Sequence, residues 1–281
     1  MANAIRRQTK FLRMKKVDLS KVTFMIPVRF DSIVRLENLL LSVNYLYRHF
    51  TTNIIVLQAA KYDNGFVRKL LGNKVNYYYI EDYDNVFYRT KYLNFMTQKA
   101  NTPYVAIWDA DVIIPKEQLI KTIKELDNGS DVVYPYDGHF YDTSSIIREL
   151  YLKHQNVQIL ERNRLKMFMR YGNKMIGGAI FVNRQSYIAS GMENIDFYGW
   201  GPEDGERYYR WEKLGYKIVY IKGHLFHLTH ERGNDSKFRS IDQMVSTNSE
   251  LMKLVKSNIE DVQNDIKKRK ERCNYRLSLI K

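Results

Sequence analysis

Two carboxylates one residue apart, Asp109 and Asp111, sit inside the apolar run YVAIWDADVIIP at residues 104–115. In an extended chain, residues i and i+2 point to the same side. Two carboxylates so placed repel unless a cation or a hydrogen-bond donor lies between them. A hard divalent ion such as Mg²⁺ or Mn²⁺ takes oxygen ligands and shares them with substrate phosphates. A strand end capped by polar groups is the plainer reading, and D-x-D is too short to choose between the two.

Three further clusters carry chemistry. GHLFHLTHERGND at 223–235 holds His224, His227 and His230, half of the six histidines. Mn²⁺ accepts imidazole beside carboxylate, although histidines also pack or sit exposed; His227 and His230 are one helical turn apart or lie on a tight bend. FYGWGPEDGERYYRW at 197–211 sets Trp200 between glycines, followed by adjacent Glu203 and Asp204. An aromatic ring with carboxylates suits a sugar face and its hydroxyls, and one carboxylate could act as general base. An acidic first helical turn beside a packed tryptophan fits equally well. In IPVRFDS (26–32), Arg29 follows a strand where a nucleotide diphosphate would lie; alone, it reads as a surface arginine.

The elements that must position these groups alternate. Strands are expected at 22–28, 53–58, 75–80, 104–108 and 131–136. Helices are expected at 32–50, 65–72, 86–99 and 116–127, the last stopped by Asn128-Gly129. Such alternation predicts a mostly parallel central sheet with helices on both faces and ligands at the carboxyl ends of its strands. Residues 139–171 read as largely helical, 177–183 as a glycine-led strand, 203–214 as a helix and 216–222 as a strand. Residues 244–266 read as one amphipathic closing helix.

A chain of 281 residues allows one large domain or two small ones, and 44% hydrophobic residues with 27% charged is ordinary for a soluble protein. The net charge of +14 is uneven: residues 1–21 carry +6 and residues 253–281 carry +5. Basic ends suit an anionic membrane surface, a nucleic acid or solubility alone. No nucleic-acid motif accompanies them, so no nucleic-acid partner is expected. The single cysteine, Cys273, forms no disulfide within one chain. With no apolar signal core and no run long enough to span a bilayer, the expected location is cytoplasmic, peripheral to the membrane at most. The expected organisation is a basic extension at 1–21, one domain at 22–240 (a nucleotide half at 22–136, an acceptor and catalytic half at 137–240), and a closing helix with basic tail at 241–281.

In order along the chain, IPVR (26–29), VFYRTKYLN (86–94), WDADVIIP (108–115), GGAIFVNRQSYIASG (177–191), YGWGPEDGE (198–206) and HLTHERGND (227–235) resemble the β-1,4-galactosyltransferase type of glycosyltransferase, with its GT-A nucleotide-sugar fold. The most specific signature is W-G-x-E-D following G-G. The resemblance implies that Pro27, Arg29 and Arg89 line a nucleotide pocket, with Gly177 and Gly178 beside the donor sugar. It implies that Asp111 and His230 hold Mn²⁺ or Mg²⁺, with Asp109 as support. His227 falls where the animal enzymes have a methionine ligand, so a second histidine is implied there. Trp200 matches the tryptophan of a mobile loop, Asp204 the catalytic base and Glu203 an acceptor-binding carboxylate.

The implied reaction is an inverting transfer from a UDP-sugar to a glycan or lipid-linked saccharide, of the kind used in bacterial capsule or surface polysaccharide synthesis. The chain departs from the pattern in places. Met175 and Ile176 replace an aromatic pair that reads the donor sugar, which puts galactose in doubt, and residues 137–172 exceed the family's equivalent. Against this reading stands a non-catalytic glycan- or nucleic-acid-binding protein using its basic ends. It would bind without turnover.

Overall fold

The computed structural model describes residues 15–170, 172 and 175–278, with side chains to residue 272. The expected basic extension falls largely outside the described residues, as do the end of the basic tail and the side chain of Cys273.

In chain order the elements are β1 (Val17–Val28), α1 (Ile33–His49), β2 (Phe50–Ala60), α2 (Phe66–Leu71), β3 (Asn76–Glu81), α3 (Arg89–Lys99), β4 (Tyr104–Trp108), β5 (Val112–Ile113), α4 (Lys116–Asp127), β6 (Val132–Tyr134), β7 (His139–Asp142), α5 (Ser145–His154), α6 (Val157–Asn163), β8 (Phe168–Met169), β9 (Ala179–Asn183), α7 (Arg184–Ala189), α8 (Glu203–Lys213), β10 (Ile218–Tyr220), β11 (His224–His227), α9 (Ile241–Lys256) and α10 (Ile259–Ser278). Seven strands form the main sheet in the order β10-β6-β9-β4-β1-β2-β3. β9 runs antiparallel to both its neighbours, and the other pairings are parallel. The order reverses at β1, between β2 and β4, so the segments after β1 and β4 flank a topological switch point, where α/β sheets bind ligands.

The continuous apolar runs explain the burial. Every residue of β4 is buried, as is the second half of β1, as expected of parallel strands covered on both faces. Phe24, Trp108 and Phe181, from three adjacent strands, meet edge to face at 5.1, 5.5 and 6.2 Å between ring centroids. Ser32 caps α1, its hydroxyl accepting from Arg35 N at 3.4 Å.

A second sheet, β5-β11-β7-β8, takes two of its strands, β7 and β8, from the segment where sequence patterning expected helix. Residues 139–171 contain α5 and α6, but HFYD (139–142) is strand β7 and residues 168–169 form strand β8. His224–His227 is strand β11, parallel to β7 and antiparallel to β5; the alternation of His224 and Phe226 with Leu225 and His227 is a strand pattern. The expected closing helix is two helices, α9 and α10, broken at Ser257 and Asn258, where Asn258 Oδ1 accepts from Asp261 N at 2.9 Å and starts the second. β1 starts at Val17, so the last residues assigned to the basic extension belong to the sheet. Among the described residues no helix is long and apolar enough to cross a membrane.

Candidate active site

Asp109 and Asp111 do not share a strand face. β4 ends at Trp108, and the chain turns, with Val112 N donating to Asp109 O at 3.4 Å. The turn sends the two carboxylates to different partners. Asp109 Oδ1 accepts from Arg89 Nη2 at 2.7 Å, and its backbone N donates to Gly178 O at 2.9 Å. Asp111 Oδ2 lies 3.0 Å from His230 Nε2 and 3.5 Å from His227 Nε2.

The histidines reach Asp111 because its backbone is tied to theirs. Leu228 N donates to Asp111 O at 2.8 Å. From α1, Asn38 Nδ2 donates to Leu228 O at 2.8 Å and Ser42 Oγ to Val112 O at 3.2 Å. Trp108 Nε1 in turn donates to Ser42 Oγ at 3.0 Å. These buried polar side chains of α1 bind carbonyls at the start of β5 and just after β11.

Donor atoms of Asp111, His227 and His230 lie within 4.8 Å of one another. Donors around one small divalent ion sit up to about 4.2 Å apart, at bonds of about 2.1 Å each, so a small side-chain adjustment closes the set. Each imidazole turns Nε2 toward Asp111 and has an acceptor at Nδ1. His227 Nδ1 lies 2.7 Å from Asp142 Oδ1, and His230 Nδ1 lies 2.7 Å from Glu231 O. This outer hydrogen bond fixes the tautomer in metal-bound histidines. Without a cation, the same geometry orders the charges. Burial opposes charge on His227, but Asp111 and Asp142 outweigh it and lift the ring to about 9. Burial alone would raise Asp111, yet His227 and His230 hold it far below the carboxylate range.

The other carboxylates lie at the start of α8. Glu203 is buried, and its Oε2 has no hydrogen-bond partner among the described residues. Burial and the neighbouring Asp204 push it up to about 8, with Arg89 opposing, so it is mostly neutral at pH 7 and can both donate and accept. Asp204 pairs with buried Arg207, and Arg89 Nη1 stands 4.0 Å from it. Burial opposes the charge on Arg89, but Asp109 and then Asp204 outweigh it and raise its pKa. Burial raises Asp109, and Asp111 and Asp204 add to this while Arg89 opposes.

These groups line one cavity of 570 Å³. Pro27, Arg29, Arg89, Asp109, Asp111, Gly178, Trp200, Glu203, Asp204, His227 and His230 all border it. Gly177 does not, but a Cβ there would lie 2.6 Å from Asp204 Oδ2, so its lack of a side chain leaves room for that carboxylate. Gly178, at φ +81°, is in the left-handed region. Met175 lines the wall where the resemblance expected an aromatic residue. Trp200 stands edge-on to Phe238 at 4.8 Å. Its loop hangs from α9, where Gln243 Nε2 donates to Tyr198 O at 2.9 Å and Trp200 O at 3.2 Å.

His224 stands apart from the metal-ligand set. Its Nε2 lies 3.1 Å from Glu161, and its Nδ1 lies 3.3 Å from Arg164 Nη1. Sequence reasoning missed Asp142, Glu193 and Arg207. It also missed Phe87, Asp235 and Phe238, which border the cavity. Asp142 carried no local signal, since it meets His227 only through the pairing of β7 with β11.

No family model and no curated protein matches the chain. Solved structures do. The catalytic domain of β1,4-galactosyltransferase 7 from Drosophila, in complex with xylobiose, aligns at TM-score 0.53 with 15% identity, over 87% of this chain and 83% of that one. A mutant of the Drosophila enzyme, in complex with manganese, UDP-Gal and xylobiose, aligns at TM-score 0.50 with 14% identity, over 80% and 78%. The chain has the fold of these structures, as the expected GT-A architecture requires.

Proposed function

We propose that the chain is a metal-dependent inverting glycosyltransferase that moves a sugar from a UDP-sugar to a glycan or lipid-linked saccharide. The observation that carries this reading is one cavity bordered both by Asp111, His227 and His230 and by Glu203 and Asp204. The shared fold supports it, because one structure with that fold holds manganese, UDP-Gal and xylobiose.

Asp111, His227 and His230 would hold Mn²⁺ or Mg²⁺; the mixed carboxylate and imidazole set favours Mn²⁺. A bound divalent ion would supply Lewis-acid neutralisation of charge on the leaving diphosphate. Arg29 and Arg89 also border the cavity, paired with Asp82 and Asp109, and would offer their remaining N–H groups to phosphate oxygens. Asp204 takes the proton of the acceptor hydroxyl as its oxygen bonds to the anomeric carbon and the bond from that carbon to the diphosphate breaks. Glu203, neutral at pH 7, hydrogen-bonds an acceptor hydroxyl. Trp200, on its glycine-flanked loop, covers the reacting sugar and excludes water. One base and one displacement give inversion.

The cellular role we infer is capsule or surface polysaccharide synthesis, in the cytoplasm and peripheral to an anionic membrane. Met175 in the donor wall argues for a sugar related to galactose, such as GalNAc, as readily as for galactose. The test is a panel of UDP-sugars assayed for transfer and hydrolysis, with Mn²⁺ and with chelator, on the wild type and Asp204→Asn. Metal-dependent turnover in the wild type, with donor binding but no transfer in the variant, is the expected result. Wild-type turnover by Asp204→Asn would overturn the base assignment, and no turnover of any UDP-sugar would overturn the activity.

A further inference from the structure

The inner face of α9 packs through Thr247 and Leu254 and grips the Trp200 loop through Gln243. Its opposite face is apolar and, among the described residues, exposed. Ile241, Val245, Met252 and Val255 are 41 to 74% exposed, and exposed Asn248 sits at their centre. Their spacing of four, three, four and three residues is that of a two-helix seam, over a helix about 24 Å long. A stripe this regular, with its single polar residue in the middle, differs from scattered surface apolar residues.

We propose that α9 is the interface of a homodimer, in which it pairs antiparallel with α9 of a second copy about Asn248. The register follows from the sequence. Antiparallel pairing centred on Asn248 sets Ile241 opposite Val255 of the second copy and Asn248 opposite itself, with Val245 level with Leu251 and one residue out of level with Met252. The flanking charges agree. Asp242 and Lys256 border the same side of the seam at opposite ends of the helix, and neither has an ion-pair partner among the described residues. Antiparallel pairing brings Asp242 to Lys256 of the other copy twice, whereas parallel pairing sets this edge of one helix against the other edge of its partner and makes neither contact. The same patch on both copies makes the contact isologous and closed. A lipid surface is less well matched, because Asn248 in mid-stripe and Asp242 on its border would lose water with nothing to pair with. Asn248 also lines the cavity, so the second copy stands beside the cavity mouth. The seam and the candidate site therefore share Asn248, and the test below reads mass, which does not depend on turnover.

The test is sedimentation velocity of the full chain over a concentration series, with vesicle flotation on phosphatidylglycerol-containing and pure phosphatidylcholine membranes. The expected wild-type mass rises to twice that of the monomer. Val245→Glu, at an exposed position, should stay monomeric where the wild type pairs. Asp242→Lys and Lys256→Asp should each weaken dimerisation by about threefold or more, and the double reversal should restore it. A wild type that stays monomeric throughout would overturn the proposal. So would a double reversal that fails to rescue, or uptake by anionic vesicles that Val245→Glu abolishes while the mass remains that of a monomer.

Discussion

Arg207 and Glu193 form a two-pronged ion pair sealed from solvent: Nη1 of the arginine lies 2.8 and 2.7 Å from the two carboxylate oxygens, and each side chain is 1% exposed. The same guanidinium pairs with Asp204 through Nη2, so the proposed base is held from behind by a cation that is already neutralised. Tyr187 adds a hydrogen bond to Glu193 at 2.6 Å, and Asn94 fixes the backbone of Glu193 through both its N and its O.

Removing the Glu193 charge leaves Arg207 buried with one partner in place of two. Breaking a buried pair costs about 3–5 kcal/mol. Glu193→Gln keeps the shape and some hydrogen bonding, so it should lose about 3 kcal/mol in denaturant unfolding. Tyr187→Phe, which removes one hydrogen bond and no charge, should lose about 1 kcal/mol. Equal losses in the two variants would show that the charge on Glu193 does not hold Arg207 in place.

Glu203 makes stability depend on pH. Burial and Asp204 push its carboxyl up to about 8 in the folded chain, against 4.5 when unfolded. The folded state therefore binds the extra proton between those values, and stability must fall as pH rises from about 4.5 to 8. Glu203→Gln cannot ionise, so this part of the slope should vanish. Denaturation of both proteins at pH 5.5 and 8.5 checks it. The variant should lose less stability than the wild type between the two, and parallel losses would place Glu203 outside the effect.

Gly177 is a steric requirement of the site. Its φ is not in the left-handed region, so Gly177→Ala adds no backbone strain, but the new Cβ meets Asp204 Oδ2 at 2.6 Å and Met175 Cε at 3.1 Å. The carboxylate must move. Displacing a reacting group by about 1 Å costs on the order of 100-fold in rate. Transfer should fall by about that factor while the melting temperature changes little. An unchanged rate would mean that Asp204 has room to spare.

Local patterns made much of this legible. Continuous apolar runs gave β1, β4 and β9, because strands covered on both faces have no polar side. The chain W-G-x-E-D placed Trp200, Glu203 and Asp204 on one loop and helix start, where the structure also has them. What the sequence hid was non-local. HFYD and HLFH are four-residue strands that pair with each other across about 85 residues, and such short segments carry too few periods to separate strand from helix. The break between α9 and α10 was visible in principle, as Asn258 followed by Asp261 is a helix-start pattern, but continuous apolar spacing masked it. The i, i+2 spacing of the two aspartates predicts one strand face, and the turn after Trp108 separates them.

The same non-local pairing makes Asp142 the least expected neighbour of the candidate metal site. β7 sets it in register with His227, and Oδ1 lies 2.7 Å from His227 Nδ1 while Oδ2 accepts from Arg170 Nε at 2.7 Å. It touches no proposed metal-binding atom. Its role is to fix the ring so that Nε2 points at Asp111. Loss of such an outer partner lowers metal affinity by about 10–100-fold. Asp142→Asn should therefore weaken Mn²⁺ binding, measured by calorimetry on the free protein, by that factor. Asp204→Asn should leave it unchanged, since Asp204 is not one of the clustered donors. Wild-type affinity in Asp142→Asn would mean that β11 alone orients His227, and equal weakening in both variants would mean that the metal centre and the base are not separate parts of the site.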